Sequence, residues 1–361
     1  MLRPTKLNAR AAIVLFALAF CPRPSFARDA KDLLVMENGD RFTCEIKSLQ
    51  SGILKVNLDY VDGTISVDWL KVAHLESNYL FILNLQDGSL YTAKVMSRET
   101  PDTTSGVKLL LQPEGGGQSR LVDRSAVVSI TRTSDDFLQR FGGNISMGAT
   151  YSKGNSATQY NISSLLAYQR TRWGITLHQN SNLASSTGAE TSTRNQLDLG
   201  GYRMLSHTNY FAGGIASFLQ SSVQGIDRQE QLGVGLGRLF SNSNRYRFWV
   251  LAGAGWQKTS YSPATVSLPQ QNVAVALLSS NLQAFSFKRT RLDFTSTVFP
   301  ALSAQKGRIF AKTNATYYIK LFNKIDWNFS FYGSWDTRPP ATFSGSDYGS
   351  SVGLSWTFGY K

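Results

Sequence analysis

Tyr348-Gly349-Ser350-Ser351-Val352-Gly353-Leu354-Ser355-Trp356-Thr357-Phe358-Gly359-Tyr360 alternates without a break. Tyr348, Ser350, Val352, Leu354, Trp356, Phe358 and Tyr360 share one parity, and Gly349, Ser351, Gly353, Ser355, Thr357 and Gly359 the other. Successive side chains of a strand point to opposite faces, so the segment predicts a strand with one aromatic, apolar face and one small, polar face. In a soluble sandwich a second sheet would cover the apolar face. In an outer-membrane barrel lipid covers it, and the polar face lines the interior.

The same parity recurs upstream. Phe141, Ile145, Met147 and Tyr151 oppose Asn144, Ser146 and Thr150. Leu232, Val234, Leu236 and Phe240 oppose Gln231, Gly233, Gly235 and Gly237. Ile325, Trp327, Phe329 and Phe331 oppose Asn328, Ser330 and Tyr332. No amphipathic helix pattern is available to cover these apolar faces. Strands are predicted at 140–151, 156–169, 172–182, 192–206, 209–221, 230–241, 245–260, 272–287, 290–299, 307–321, 324–336 and 347–360. Twelve is an even number, as single-chain bacterial barrels require. Most of these segments exceed the roughly 9–11 residues a tilted transmembrane strand needs. The connections after even-numbered strands are short, for example Arg170-Thr171 and Phe322-Asn323. Those after odd-numbered strands are longer, except the first hairpin, Ser152 to Asn155. Short turns face the periplasm and long loops face outward in such barrels. Tyr348, Trp356, Phe358, Tyr360 and Trp327 are the expected lipid-facing aromatic girdle.

Residues 33–133 use one unit twice. Val35-Met36-Glu37-Asn38-Gly39-Asp40-Arg41-Phe42 opens the first copy and Leu83-Asn84-Leu85-Gln86-Asp87-Gly88-Ser89-Leu90 the second. Asn-Gly or Asp-Gly between alternating apolar segments is the strongest short hairpin signal. Val67-Asp68-Trp69-Leu70-Lys71-Val72 closes the first copy as Val122-Asp123-Arg124-Ser125-Ala126-Val127 closes the second. Copies of this length suit small SH3-like or Sm-like barrels. The run Gly115-Gly116-Gly117 lacks a following Gly-Lys-Ser/Thr and reads as a flexible hairpin.

The N-terminus reads as an address. Arg3, Lys6 and Arg10 precede an apolar run from Ala11 to Phe20, and Ser25-Phe26-Ala27 supplies small residues for cleavage after Ala27. Cys21 follows the apolar run, but Phe20 is too bulky for the small residue that precedes a lipidated cysteine. The expected organisation is all-β: signal peptide 1–27, small β-modules over 28–77 and 78–134, and a roughly 12-stranded antiparallel transmembrane barrel over 137–361.

Charge divides along the same line. Residues 28–136 hold 12 Lys/Arg against 16 Asp/Glu, while 137–361 hold 21 against 8. The basic residues are dispersed through strands, with no helical basic face, so nucleic acid is not the expected partner and anionic lipid headgroups or solutes are. Cleavage would leave Cys44 as the one cysteine, a small core residue in a strand. Histidines at 74, 178 and 207 are too scattered for a metal site. No metal or other cofactor is expected.

The barrel half resembles a family of uncharacterised outer-membrane proteins labelled salt-induced and YdiY-like. The resemblance rests on Gly154-Asn155-Ser156-Ala157-Thr158, Gly233-Val234-Gly235-Leu236-Gly237-Arg238-Leu239 and Leu251-Ala252-Gly253-Ala254-Gly255-Trp256, and covers roughly 137–361. The paired N-terminal modules resemble those of some larger members. The family implies outer-membrane location and little about activity. Lys361 departs from the usual aromatic end, so the barrel-assembly machinery is expected to read Phe358 and Tyr360 instead.

Chemistry is sparse. Gly349-Ser350-Ser351-Val352-Gly353 matches the serine-hydrolase pattern, but that pattern needs a strand-to-helix elbow, and here it lies inside an alternating strand. A His–Ser pair on the lipid face would mark an outer-membrane phospholipase. His178 shares the inward parity of Thr176 and Gly174, and His207 falls in a turn. No catalytic residue is expected. Inward parity instead collects Arg245, Arg247, Arg291, Arg308, Lys312 and Lys320, with Asp293. These charges form either a salt-bridged plug or a basic, anion-preferring channel. Two functions follow: an anchor or adaptor whose N-terminal modules bind a periplasmic protein or cell-wall component, and a narrow channel or transporter for small solutes. An outer-membrane esterase is a lesser third.

Overall fold

The computed structural model describes residues 32–98, 107–113, 118–133, 140–152, 157–170, 172–188, 190–205, 208–262, 271–286, 290–303, 305–322, 324–340 and 343–359. The expected signal peptide, His207 and Tyr360 lie outside them, as does most of the Gly154–Thr158 motif.

The N-terminal repeat forms nine strands: β1 Asp32–Met36, β2 Arg41–Gln50, β3 Ile53–Asn57, β4 Thr64–Asp68, β5 Val72–Leu85, β6 Leu90–Arg98, β7 Lys108–Pro113, β8 Arg120–Asp123 and β9 Val127–Arg132. Gly39 and Gly88 turn the two opening hairpins at φ +89° and +85°, the left-handed region that glycine enters without a Cβ clash. Each copy ends in one 3-10 turn, Trp69–Lys71 or Arg124–Ala126, before its last strand. Asp68 caps the first by accepting from the Leu70 N–H at 3.1 Å.

The two copies of the repeat span β1–β5 and β5–β9 of a single nine-stranded sheet, and β5 serves both. Its first half pairs with β1, and its second half with β9. The expected 77/78 division therefore falls inside a continuous strand. Strand β9 also pairs with β2 of the first copy. One core results, in which Leu34, Ile46, Trp69 and Leu75 pack with Phe81, Leu83, Val95 and Ile130. The Trp69 indole N–H donates to the Arg124 carbonyl at 3.0 Å, tying the two 3-10 turns together. Cys44 sits in this core. Burial, then the nearby Asp32 and Glu45, pushes its thiol pKa up to about 12, as for an inert core cysteine.

Twelve antiparallel strands follow: β10 Phe141–Ser152, β11 Ala157–Gln169, β12 Trp173–Ser185, β13 Ser192–Met204, β14 Tyr210–Ser221, β15 Ile226–Asn242, β16 Tyr246–Tyr261, β17 Gln271–Phe285, β18 Thr290–Pro300, β19 Ile309–Lys320, β20 Ile325–Asp336 and β21 Ser346–Gly359. Each pairs with the next, and β21 returns to β10 from Gly142↔Gly359 to Gly148↔Gly353, closing the barrel. Closure removes the unpaired edges of an open sheet. Strand β15 begins at Ile226, four residues earlier than its alternation predicts. A register shift after Leu219 lets Ile226 pair with Ser221 and join an interior apolar cluster.

The parity of the last strand holds in space. Leu354 is 56% exposed while Ser355 is 1% exposed. Likewise Leu232, Val234 and Leu236 face out, and Gln229 and Gln231 are buried. This inverts the soluble pattern, in which large apolar side chains are inside. It is the arrangement of a barrel with lipid outside.

Candidate functional site: the barrel lumen

The interior is built first by glycines. Gly233, Gly235 and Gly237 occupy successive inward positions of β15 and leave room for large neighbours. A Cβ at Gly237 would lie 2.2 Å from the Phe211 ring, and one at Gly233 would lie 2.8 Å from Leu277. Phe211, Leu251, Leu277, Phe299 and Phe310 belong to the apolar cluster that fills this side of the lumen. The glycine alternation of the sixth strand is therefore a packing device.

Polar and charged side chains fill the lumen beside this cluster, with Lys312 Nζ 5.6 Å from the Phe299 ring centre. Arg194 on β13 donates to Asp347 on β21 and to Ser334 on β20, each at 2.9 Å, and to Gln196 at 3.0 Å. Its guanidinium also lies 4.9 Å from the Tyr332 ring centre. The Ser221 hydroxyl donates to the same Asp347 oxygen at 2.6 Å. Arg308 forks onto Asp336, donating from Nε at 2.9 Å and from Nη2. Its remaining donors meet Gln271, Gln305 and Tyr261, each at 2.6 Å. Lys312 on β19 donates to Asp198 on β13 at 2.7 Å and to Ser217 on β14. Strands β13 and β19 stand opposite each other in the twelve-strand ring, so this ion pair spans the lumen.

Arg194, Arg308 and Lys312 are all nearly inaccessible to solvent. A buried cation needs a counter-charge and filled donor positions. All three have the counter-charge, and Arg308 and Lys312 also meet neutral oxygens; among the described residues the Arg194 Nε is left without a hydrogen-bond partner.

The sequence-predicted residues divide. Arg308 and Lys312 lie in this network. Asp293 accepts from the side-chain amides of Asn281 at 3.1 Å and Gln283 at 3.3 Å. The Arg291 guanidinium lies 4.1 Å from the Tyr318 ring centre. Arg247 keeps inward parity on β16 and is half-buried. Arg245 is a correction: β16 begins at Tyr246, so Arg245 occupies the preceding turn and is exposed. Lys320 ends β19 and is exposed at the rim rather than inside. The inward acids Asp198, Asp336 and Asp347 are not among the sequence-predicted residues. Their alternation on β13, β20 and β21 was the signal that could have found them. His178 faces inward, 4.0 Å from Asp198. Among the described residues, no group of three or more His, Cys, Asp or Glu side chains could hold a metal ion.

Tyr348, Trp356 and Trp327 face outward and are exposed. The Phe358 ring stacks at 5.2 Å on Trp356.

The nine-stranded domain sits against the short-turn end of the barrel. Asn244, in the β15–β16 turn, donates to the carbonyls of Val127 at 2.9 Å and Ser125 at 3.2 Å. Asn209, before β14, donates to the Gln86 carbonyl at 3.0 Å. A Cβ at Gly52 would approach the Asn244 carbonyl oxygen to 2.5 Å, and one at Gly88 would meet the Thr208 backbone at 2.6 Å. Close backbone approach thus adds a second reason for glycine at 88. Lys55 lies near Lys320 and Lys324. Burial and these two like charges lower its pKa.

A closed antiparallel barrel of even strand number, apolar outside and polar or packed within, defines the class: this is an outer-membrane-type β-barrel. The chain belongs to the DUF481 family, described as proteins of unknown function, which it matches over residues 145–358. No curated protein matches the sequence. Among solved structures it is similar to the translocator domain of the autotransporter NalP from Neisseria meningitidis, at 14% identity over 60% of this chain and 87% of that one, with a TM-score of 0.31. The β domain of the Bordetella autotransporter BrkA gives 12% identity, 61% and 98% coverage, and a TM-score of 0.30. A porin gives 9% identity, 60% and 99% coverage, and 0.28. Likeness of this degree assigns no function.

Proposed function

We propose that this protein is a closed outer-membrane anchor, not an enzyme, that holds its β-domain on the periplasmic side to bind a protein or cell-wall component of the envelope. The observation that carries the reading is the ion pair across the lumen, Lys312 to Asp198, reinforced by Arg194 to Asp347 and by the apolar cluster around Phe211. A twelve-stranded ring has a narrow interior, and bridges between opposite walls leave little aqueous path. The placement follows from the signal-peptide pattern, and the barrel-assembly machinery is the partner that would insert the chain. The YdiY-like reading is compatible with the family match, whose span includes both glycine-rich motifs. The non-enzymatic reading is supported by Ser351, which sits in strand register opposite Ser330 and not on an elbow.

Planar-bilayer recording tests the reading. Wild type should show no steady conductance, whereas Arg194→Ala combined with Lys312→Ala should admit ions. A steady wild-type conductance that prefers anions, and loses that preference in Arg308→Glu and Lys312→Glu, would establish the channel instead.

A further inference from the structure

We propose that the junction between the β-domain and the barrel binds the phosphate of an anionic phospholipid in the inner leaflet. A cleft of about 380 Å³ opens there. Its barrel wall carries Arg140, Arg170, Arg172 and Trp173, and its domain wall carries Leu90 and Tyr91. Among the described residues that line it, three are arginines and none is acidic. Guanidinium is weakly hydrated, permanently charged and forked to match phosphate oxygens.

The height of the cleft selects a lipid. Phe141, Tyr168 and Trp173 take outward parity at the short-turn ends of β10, β11 and β12. Their rings pack in sequence, tilted to one another, with centres 4.8 and 5.4 Å apart. Such rings sit at headgroup level in membrane barrels. The Arg170 Nε–H donates to the Tyr168 hydroxyl at 3.1 Å, which fixes one guanidinium directly beneath that belt. A diester phosphate held there touches cations on its aqueous side, while its acyl chains rise past Trp173 along the barrel wall. Leu90 and Tyr91 close the far side, so the bound lipid bridges barrel and domain. The inference requires only that the barrel lie in the membrane, which fractionation and heat-modifiable migration test separately.

The test is native mass spectrometry of the full chain released from micelles containing equal phosphatidylethanolamine and phosphatidylglycerol. Wild type should retain phosphatidylglycerol preferentially. Arg140→Gln with Arg170→Gln and Arg172→Gln should lower retention at least tenfold. Arg228→Gln with Arg238→Gln, both on β15 and away from the cleft, should not. Thr92→Glu places a carboxylate on the exposed domain wall of the cleft and should also lower retention, so the outcome stands even if the triple variant fails to fold. Unchanged retention in Thr92→Glu, equal loss in the control pair, or displacement of the lipid by millimolar inorganic phosphate would overturn the proposal. The last result would mark a soluble-anion site.

Discussion

Replacing Lys312 with Met keeps most of the side-chain volume and removes the charge opposite Asp198. Lys312 is 6% exposed and Asp198 27%, and the carboxylate also receives Ser217 and Gln196. Removing one member of a buried pair costs about 3–5 kcal/mol, because the other charge is left in a poorly solvated site. A pair bathed in lumenal water contributes only about 0–1 kcal/mol. Asp198 is partly accessible, so the lower end of the buried range, about 3 kcal/mol, is the expectation for a closed lumen. Adding Asp198→Asn to Lys312→Met removes the stranded charge and keeps an oxygen for Ser217, so the double variant should return to within about 1 kcal/mol of the parent. Urea unfolding of the protein in liposomes, followed by tryptophan fluorescence and by the heat-modifiable gel band, measures both. A single-variant loss below about 1 kcal/mol would mean that water reaches the pair and that the lumen is open. A double variant no better than the single would show that the stranded charge is not the cause.

Four other outcomes are expected. Leu354→Arg should cost about 2–4 kcal/mol if Leu354 lies near the midplane, with Leu354→Met nearly neutral in the same unfolding assay. Gly237→Ala should cost about 1–3 kcal/mol by overpacking the Phe211 ring, and Phe211→Leu in the same chain should restore most of it. Asn244→Ala removes both side-chain hydrogen bonds to Ser125 and Val127. It should speed proteolytic release of the β-domain while the barrel keeps its heat-modifiable migration. Lys55 ionises below its ordinary 10.5 in the folded protein, so between the two values the unfolded chain binds more protons and stability should rise with pH. Lys55→Gln should flatten that rise, measured as denaturation midpoints from pH 7 to 10.

Alternation made most of the barrel legible. Because strand period is two and one face meets lipid, a one-residue error would turn every side chain over. Strands such as β11 and β20 therefore appeared within a residue or two of their observed ends. Strand β15 escaped at its start because a register shift interrupts the alternation at Asp227 and Arg228. The repeat was legible in Asn38-Gly39 and Asp87-Gly88, but the sharing of β5 was not. Local turn signals say where a chain reverses, and the pairing of β9 with β2 joins residues about 80 positions apart. Lumenal charges were half legible. Parity placed Arg308 and Lys312 inside, yet only the closed ring brings Asp198 across from Lys312.

The position of β9 bears on how the molecule carries force. This strand lies between β2 and β5 and is the segment nearest in sequence to β10, so the tether to the membrane leaves from the middle of the sheet rather than its edge. A load applied along the chain between β3 or β4 and β9 is borne by the β2–β9 and β5–β9 ladders together. Hydrogen bonds in two parallel ladders share a shearing load, so neither ladder can peel open one bond at a time. The sheet therefore grips its own last strand from both sides.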